Sequence, residues 1–425
     1  MTLTLTEGES ITFETQAPSD VDPIQIDPEK TYQTILGMGS SLDHATCHNL
    51  HRLAPEKRTE VMARIVSPAE GIGMNLMRVC IGTSDFAPLP YYSYDDLPPG
   101  EADPELAQFV VEKDREYVLP TLKLAMAKNP GLVFFASPWS PPAWMKKGEN
   151  LCGGAMDAEH FADYARYLVR FIRAYEAEGI AIHAITPQNE PGMVSKDYPT
   201  CLWSGTQQRD FIRDALGPEF ARQNIATRIW CFDHNFNNLP FPRAVLSDAN
   251  AALFVEGTAF HHYEGKVEAM SELHTEFPDK RVHFTEGSTF GVSGARTIIE
   301  IFRNWAESYT AWVTMLDQDQ QPNSGPHHAS PTCIVLNTDD LSVEYRFDYY
   351  MYGQFMKFVQ RGAVRIDSSA GDRSFSNVAF KNPDGSIVLV VANRMAERPF
   401  RILCGGLSAF ATVPAKSVAT YVWQP

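Results

Sequence analysis

The central part of the chain alternates short apolar segments with longer amphipathic ones. Apolar runs rich in β-branched and aromatic residues predict eight strands, at Thr34–Met38, Asn75–Ile81, Leu132–Ala136, Ile182–Thr186, Thr227–Phe232, Thr258–His262, Val282–Glu286 and Thr310–Leu316. Apolar residues three and four positions apart predict helices, at Pro55–Ile65, Asp114–Ala127, Ala158–Glu178, Gln207–Leu216, Lys266–Glu276 and Ala295–Tyr309. Parallel-type strands that alternate with helices favour a closed (β/α)8 TIM barrel over an open sheet, so we predict an α/β fold.

The two ends of the chain follow a different pattern. Thr2–Phe13 alternates polar and apolar residues, as a half-buried strand does. Near the C-terminus, strand-like segments follow one another without a helix between them, at Val378–Lys381, Ser386–Ala392, Phe400–Leu403 and Ser417–Trp423. This pattern predicts an appended β-sandwich side domain formed by both termini. We place its N-terminal strands within residues 1–30, the barrel at residues 31–345 and the C-terminal part of the side domain at residues 346–425.

Composition and charge exclude several classes of protein. With 44% hydrophobic and 21% charged residues, the chain of 425 residues is typical of a globular protein. A formal net charge of −16 argues against binding to nucleic acid or to anionic membranes, because both require a basic surface. No apolar run reaches the roughly 18 residues that a membrane span needs, and no signal peptide is evident. We therefore expect a cytoplasmic protein without stable membrane insertion, although a secreted form trimmed of a leader would look the same.

No metal or cofactor site is predicted. The seven cysteines are scattered and form no CxxC pair. Cys152 and Cys201 lie in loops, and the sequence leaves open whether they form a disulfide. His261 and His262 are adjacent on a strand and point to opposite faces, and the pair His327–His328 has no carboxylate at a ligand spacing. The segment that begins at Gly37 lacks the glycine spacing of a nucleotide-binding loop.

Two predicted strands end in carboxylates. Asn189 and Glu190 follow the fourth strand, where Pro191 stops the ladder, and Glu286 ends the seventh strand. Polar and aromatic residues lie within or just after most of the other strands: Asp85, Trp139, Asp233, His234, His261, Tyr263, Trp312 and Asp317. Since catalytic groups of a barrel come from the C-terminal ends of several strands, these side chains should meet at one rim. Paired carboxyl groups and aromatic faces predict a sugar-cleaving pocket, in which one carboxyl protonates the leaving oxygen and the other attacks the anomeric carbon.

The sequence resembles glycoside hydrolase family 30, the family of lysosomal glucosylceramidase, over nearly its whole length. The matching motifs are Gly37–Asp43, Asn75–Phe86, Ala136–Lys146, Thr186–Pro191, Phe284–Gly287 and Met351–Phe358. The glucosylceramidase branch is resembled most closely at Tyr198–Cys201, Gln208–Ile212, Asn382–Gly385 and Val391–Arg394. The resemblance implies a barrel with a β side domain and retaining hydrolysis of a β-glycoside.

The resemblance also implies roles for individual residues. Glu286 matches the family's nucleophile, Glu190 its acid/base, and Asn189 the neighbour that binds the sugar 2-hydroxyl. Matches to residues that line the non-reducing sugar subsite are Arg78, Asp85, Trp139, His261, Tyr263 and Trp312. The chain departs from its relatives around the substrate pocket, at Gly37–Ser40, at Val313 and in the long loop 318–328.

The function implied first is that of an exo-acting β-glucosidase of glucosylceramidase type, with a carbohydrate or glycoconjugate as its substrate. The alternative within the family is an endo-β-1,6-glucanase, followed by a β-xylosidase or β-fucosidase. A non-enzyme alternative is an inactive carbohydrate-binding scaffold, which the intact pair of carboxylates argues against. The oligomeric state is left open by the sequence.

Overall fold

The computed structural model describes residues 5–15, 21, 23–325 and 332–425. The strands are β1 Glu14–Thr15, β2 Pro23–Thr34, β3 Gly37–Gly39, β4 Leu76–Ile81, β5 Val133–Pro138, β6 Lys146–Lys147, β7 Ala155–Met156, β8 Ile182–Ile185, β9 Arg228–Asn235, β10 Val255–His261, β11 Arg281–Glu286, β12 Ala306–Thr310, β13 Met315–Asp317, β14 Ile334–Leu336, β15 Val343–Tyr345, β16 Val364–Ser368, β17 Phe375–Lys381, β18 Ile387–Asn393, β19 Arg398–Cys404, β20 Leu407–Val413 and β21 Ser417–Trp423. The helices are α1 His44–Arg52, α2 Pro55–Val66, α3 Val118–Lys128, α4 Phe161–Ala177, α5 Gly205–Phe211, α6 Gly217–Arg222, α7 Pro240–Leu246, α8 Ala249–Ala252, α9 Glu268–Glu276, α10 Gly291–Arg303 and α11 Phe347–Met356.

A closed barrel of eight parallel strands forms the centre of the molecule. Its strand order is β3-β12-β11-β10-β9-β8-β5-β4. Hydrogen bonds close the ring between the first and last strands of this order, where the Asn75 N–H donates to the Met38 carbonyl at 2.9 Å and the Arg78 N–H donates to the Ser40 carbonyl at 3.0 Å. The predicted (β/α)8 TIM barrel is therefore confirmed.

The barrel interior changes from apolar to charged along its axis. An apolar layer fills its middle: Leu76, Phe135, Ala184, Trp230 and Ala259. Side chains of a strand alternate between two faces, so residues two positions further along point the same way. Arg78 and Ser137 therefore follow Leu76 and Phe135 inside the barrel, towards the C-terminal ends of the strands, where they are fully buried.

The amphipathic pattern of α4 explains how a helix covers the barrel. Its buried face includes Tyr164, Leu168 and Ile172, spaced by four residues. Asp157 accepts a hydrogen bond from the N–H of Glu159 in the 3₁₀ turn that precedes the helix. Gly179 follows the helix with a φ of 82°, a left-handed conformation that glycine adopts without steric cost.

The side domain is built from both ends of the chain, as predicted. Its eight strands have the order β1-β20-β19-β2-β16-β17-β18-β21. The predicted hairpin is present as β17 and β18, with Lys381 opposite Ile387 at its turn. The sheet packs on the barrel through α10 and α11, where the Phe302 ring meets the Phe380 ring at 5.5 Å and the Thr420 hydroxyl donates to the Gln354 carbonyl at 2.6 Å.

The structure corrects the strand predicted at Thr2–Phe13. Residues 2–4 lie outside the described part, and residues 5–13 form no strand. Instead, β2 joins the side sheet between β16 and β19. It alternates buried Ile24 and Ile26 with exposed neighbours, which is the pattern of a strand with one solvated face. The domain limits at residues 30 and 345 stay predictions; β2 itself runs through residue 30.

The eighth barrel strand also lies earlier than predicted. It spans Ala306–Thr310 rather than Thr310–Leu316, and α10 ends at Arg303 rather than at Tyr309. Because Glu307 is charged, the sequence pattern resembled a continuation of the helix rather than a buried strand. That carboxylate is buried because it pairs with Arg281 at 2.5 Å, which a pattern of apolar residues cannot reveal.

Within the described residues, no helix combines the length and the apolar character that crossing a bilayer requires. The expected cytoplasmic location stays a prediction. Cys152 and Cys201 are free thiols in this structure.

Candidate active site

Five charged residues meet at the C-terminal end of the barrel, and we call them the rim cluster: Arg78, Glu190, Asp233, His261 and Glu286. Arg78 lies at its centre, with no exposed surface. Its guanidinium donates to the Glu286 carboxylate, to Asn189 Oδ1 at 2.8 Å and to Asp233 Oδ2 at 2.8 Å. One planar cation thus orients three side chains from three different strand ends.

Glu286 ends β11 and is 5% exposed. The Tyr263 hydroxyl donates to its Oε1 at 2.9 Å, and Arg78 donates to its Oε2. The His261 Nδ1 lies 3.8 Å from Oε1. Both carboxylate oxygens therefore face donors, which favour the ionised form.

Glu190 occupies a different kind of backbone. Its φ is 45°, a left-handed conformation that is uncommon outside glycine. The backbone N–H of Glu190 donates to the Asp233 carbonyl at 2.9 Å, which ties the loop after β8 to β9. His261 Nδ1 lies 3.0 Å from Glu190 Oε1. The side chain is 15% exposed, so this carboxyl faces the cleft more than Glu286 does.

A bulge in β9 supports Glu190. Phe232 and Asp233 have φ values of 74° and 72°, and the pairing with β10 skips Asp233, because Ala259 lies opposite Phe232 and Phe260 lies opposite His234. Such bulges re-aim side chains next to active sites. Strained backbone of this kind costs on the order of 1–3 kcal/mol per residue, and persists where the surroundings enforce it.

Asp233 is the buried anchor of the rim cluster. Its Oδ1 accepts from His261 Nε2 at 2.9 Å and from the Thr285 hydroxyl at 2.6 Å. Its Oδ2 accepts from Arg78 and from the Ser137 hydroxyl at 2.9 Å. Burial raises the pKa of Asp233, but the charges of Arg78 and His261 outweigh burial and hold that pKa well below its usual range. The carboxylate therefore stays charged.

The pKa values of the other members follow from this charge pattern. Burial lowers the pKa of His261, yet the carboxylates of Glu286 and Asp233 raise it to about 9. Burial also raises the pKa of Glu190, but the hydrogen bond and charge of His261 bring it below its usual range. For Glu286, burial dominates and raises the pKa, against the opposing charges of His261 and Arg78. His261 thus holds a proton between the two glutamates.

The two glutamates lie close together. One carboxylate oxygen of Glu190, one of Glu286 and a ring nitrogen of His261 all lie within 4.8 Å of one another. Three such atoms could bind a cation. The raised pKa of His261 argues against this, because a protonated imidazole has no lone pair for a metal, and Arg78 already supplies positive charge.

Aromatic side chains form one wall beside the rim cluster. The rings of Trp139 and Trp312 are stacked at 5.0 Å, and Phe86 meets Trp312 edge to face at 5.7 Å. The Arg78 guanidinium lies 4.8 Å from the Trp139 ring centre. Burial raises the pKa of the nearby Asp85 carboxyl to about 8, with the Glu286 charge as the next cause.

All nine residues predicted for the site thus lie at this end of the barrel. The structure joins Arg78, Asn189, Glu190, His261, Tyr263 and Glu286 by hydrogen bonds, and it brings Trp139 and Trp312 together by stacking. Asp85 is connected less directly. Its backbone carbonyl accepts from the Ser324 N–H at 2.9 Å, so the long loop after β13 lies against it.

Lys146 is a rim residue that the sequence reasoning missed. Its ammonium is buried and donates to the Ser140 hydroxyl and to the carbonyls of Leu151 and Thr200, each at 2.8 Å. Burial lowers the pKa of Lys146 to about 8. Lys146 thereby ties the loop after β5 to the loop after β8. A lysine in a polar loop gives no signal of this role, because exposed lysines are the norm.

The first of the two pairs of adjacent histidines, at residues 261–262, does not act as a unit. His262 does not join the rim cluster, since its Nε2 accepts from the Ser288 N–H at 3.0 Å and burial lowers its pKa to about 4. His327 and His328 lie outside the described residues.

Comparison with known proteins bears on what this rim does. The model of the glycosyl hydrolase family 30 TIM-barrel domain matches residues 35–359, and that of the family's β-sandwich domain matches residues 362–421. An endo-1,6-β-D-glucanase of Neurospora crassa is 31% identical, over 92% of this chain and 83% of that protein. The lysosomal acid glucosylceramidase of Mus musculus is 30% identical, over 94% of this chain and 83% of that protein.

A solved structure of an endo-β1,6-glucanase is 29% identical and has a TM-score of 0.88, with 96% of both chains covered. The resemblance inferred from the motifs is confirmed, whereas the exo-glucosidase reading is supported only as far as the family. Two matched domain models, the paired glutamates and the relatives agree that the chain is a retaining glycoside hydrolase and belongs to glycosyl hydrolase family 30.

Proposed function

We propose that the protein is an endo-acting β-1,6-glucanase, with Glu286 as the nucleophile and Glu190 as the acid/base. The observation that carries the double-displacement mechanism is the short separation of the two carboxylates, whose nearest oxygens lie within 4.8 Å. Retaining enzymes hold their carboxyl groups about 5–5.5 Å apart, and inverting enzymes about 6.5–9.5 Å.

In the first step, a Glu286 oxygen attacks the anomeric carbon while Glu190 gives a proton to the glycosidic oxygen. The bond to the leaving sugar breaks, and an ester to Glu286 forms. Arg78 and Tyr263 support the nucleophile role of Glu286, because their donors favour the charged carboxylate and fix its orientation.

In the second step, water attacks the anomeric carbon and Glu190 takes up a proton from that water. The Glu286 ester bond breaks, and the product keeps the β configuration. Asn189 accepts from Arg78 through Oδ1, which leaves its amide N–H groups free to donate to the sugar 2-hydroxyl.

The proton that Glu190 needs rests on His261 in the unliganded enzyme. His261 Nδ1 and Glu190 Oε1 are 3.0 Å apart, so the proton crosses a single hydrogen bond. Substrate that fills the cleft excludes water from Glu190 and so raises its pKa, because desolvation disfavours the charged form. His261 is thereby assigned to proton supply as well as to the sugar subsite.

The choice of β-1,6-glucan rests on the relatives. Three fungal endo-1,6-β-glucanases are 30–31% identical over 92% of this chain. The solved endo-β1,6-glucanase covers 96% of it. Trp139 and Trp312 are buried and stack on each other beside the carboxylates, so they form an aromatic wall of the site.

A glucosylceramidase is the second candidate. The mouse relative supports it, and so do exposed apolar side chains on loops that follow barrel strands. Leu89 is 67% exposed and Val194 is 49% exposed. Apolar surface near the cleft would suit a lipid aglycone better than a glucan chain.

The test is a panel of β-1,6-glucan, glucosylceramide and p-nitrophenyl β-glucoside, β-xyloside and β-fucoside, with Glu286→Gln as the inactive control. We expect the glucan to shorten rapidly into mixed oligosaccharides, with a fall in mean chain length ahead of free glucose. Release of glucose alone from chain ends would contradict endo action. Turnover of glucosylceramide without turnover of the glucan would replace the proposal with the second candidate.

A further inference from the structure

His234 is a polar residue at the rim that the mechanism leaves unused. It follows Asp233 in the β9 bulge, and its imidazole Nε2 lies 3.9 Å from Glu190 Oε1. The side chain is 16% exposed. In the part of the chain that the structure describes, neither ring nitrogen has a protein hydrogen bond. An imidazole that has no protein hydrogen bond and lies next to a reacting carboxyl can form hydrogen bonds to a ligand.

The position of His234 relative to the two glutamates indicates which ligand. Its Nε2 lies 3.9 Å from an oxygen of Glu190, the carboxyl that protonates the leaving oxygen, whereas neither ring nitrogen lies within 4.0 Å of a Glu286 carboxylate oxygen. The sugar that departs must lie on the Glu190 side of the scissile bond. His234 therefore faces the leaving sugar rather than the sugar that Glu286 attacks.

Gly192 leaves the space in which the imidazole lies. A Cβ at residue 192 would come within 3.2 Å of His234 Cε1 and 3.3 Å of Nδ1. The loop after β8 thus packs one side of the ring, and the ring edge turns towards Glu190 and the cleft. Burial is the main cause that lowers the pKa of His234, so the ring is neutral at pH 7. A neutral imidazole offers one donor and one acceptor, as a sugar hydroxyl does.

We propose that His234 is a specificity-determining residue that hydrogen-bonds the sugar on the leaving-group side of the cleft. This inference rests on the proposed roles of Glu190 and Glu286. It predicts that His234 acts whenever a sugar occupies that subsite, either as leaving group in the first step or as acceptor in the reverse of that step.

The test compares substrates that differ only in the leaving group. We expect His234→Phe to lower kcat/KM for β-1,6-linked gluco-oligosaccharides by about tenfold to one-hundredfold, the range for lost hydrogen bonds to a bound substrate. For 2,4-dinitrophenyl β-gentiobioside, whose aryl leaving group carries no sugar hydroxyls for His234 to bind, the change should stay below about threefold. Gly192→Ala, which crowds the ring, should show the same selective loss. His274→Phe, on the outer helix α9, serves as the control that removes a histidine elsewhere.

A second readout separates contact with the sugar from support of Glu190. The glycosyl-enzyme formed from the dinitrophenyl donor partitions between water and added gentiobiose. We expect His234→Phe to reduce the transfer product at least fivefold, with hydrolysis preserved. Equal losses on both substrates with unchanged partitioning would overturn the proposal, and so would unchanged rates on both.

An error in the proposed substrate can be distinguished from an error in the proposed role of His234. If the wild type ignores β-1,6-linked oligosaccharides but hydrolyses 2,4-dinitrophenyl β-glucoside, the glucanase assignment is wrong. The partition measured with that donor and glucose as acceptor then decides the role of His234 by the same criterion.

Discussion

Both ends of the barrel carry a cluster of carboxylates, arginine and histidine, and the two clusters differ in how completely they are paired. The cluster at the N-terminal ends of the strands, here called the basal cluster, is formed by Glu256, Arg281, His283 and Glu307 with Trp230. Glu256 Oε2 accepts from the Trp230 indole at 2.8 Å and from His283 Nε2 at 3.1 Å. Arg281 bridges Glu256 and Glu307 at 3.1 and 2.5 Å.

The rim cluster is built from the same residue types but is open on one side. Glu190 has a left-handed backbone and a partly exposed carboxyl, and the bulge at Phe232 and Asp233 re-aims the end of β9. In the basal cluster all backbone φ values are negative, and His283 stacks on Trp230 at 3.8 Å. Composition alone does not distinguish a structural ion cluster from a reactive one. Unused hydrogen-bonding capacity and strained backbone do.

The largest expected effect on activity comes from replacing a glutamate of the rim cluster. Glu286→Gln should lower kcat by on the order of 10⁴-fold, as removal of a nucleophile does in other enzymes. The fold should be kept, since Arg78 retains Asp233 as its partner. Steady-state kinetics and thermal unfolding check both statements. Residual activity within tenfold of wild type would contradict the nucleophile assignment.

Asp233→Asn should affect both activity and stability. The change leaves Arg78 and His261 without the buried charge that holds them, and breaking a buried ion pair costs about 3–5 kcal/mol. We expect the free energy of unfolding to fall by that amount and kcat/KM to fall by about 100-fold or more. Denaturant unfolding and kinetics measure the two effects. A variant as stable as the wild type would show that Asp233 does not anchor the rim cluster.

His261→Asn should change the pH profile. In the wild type, the proton shared with Glu190 is lost only as the pH approaches the raised pKa of His261, about 9. Without the imidazole, Glu190 itself must hold that proton, so the alkaline limb of kcat/KM should move at least one pH unit lower. The acid limb reports protonation of Glu286 and should remain above the usual carboxyl range, because burial raises that pKa. An unmoved alkaline limb would exclude His261 as the proton store.

Glu256→Gln should have the smallest effect on activity. Its carboxylate lies in the basal cluster, so kcat/KM should stay within about twofold. We expect the free energy of unfolding to fall by about 1–3 kcal/mol, the cost of weakened hydrogen bonds to charged partners.

The pH dependence of the stability lost in Glu256→Gln tests whether the charge of Glu256 stabilises the basal cluster. Although burial raises the pKa of Glu256, its partners, with the His283 hydrogen bond first among them, lower it to about 2, so its stabilisation is present above the unfolded pKa. The stabilisation is lost as the pH falls from about 4.3 towards 2. The gap between wild type and variant should therefore close in that window. A gap that stays constant down to pH 2 would show that the charge of Glu256 is not the source.

The carboxylates at the rim could be predicted from sequence because their location depends only on their position at the end of a strand. Glu190 and Glu286 each follow a buried strand, and parallel strands deliver such residues to one edge. The hairpin around Asn382–Gly385 was equally visible, since a turn sequence separates two apolar runs. Strand Ser417–Trp423 was predicted with its observed limits.

Other features left no local signal. The bulge depends on left-handed conformations at Phe232 and Asp233, which are not glycines and therefore give no warning in the sequence. The eighth strand was misplaced because Glu307 is buried only through its pair with Arg281, a contact between strands. Lys146 was overlooked for a similar reason, since its three acceptors come from separate segments of the chain.

The most direct test of the account is to trap the covalent intermediate. A 2-deoxy-2-fluoro-β-gentiobiosyl fluoride should react once per active site and stop at the ester stage, and mass spectrometry of the digested protein should find the added sugar on Glu286. We predict that Glu190→Gln also accumulates the label, while Glu286→Gln takes up none. Label on Glu190, or a product released from unmodified substrate with inverted configuration, would contradict the assignment of the two carboxylates.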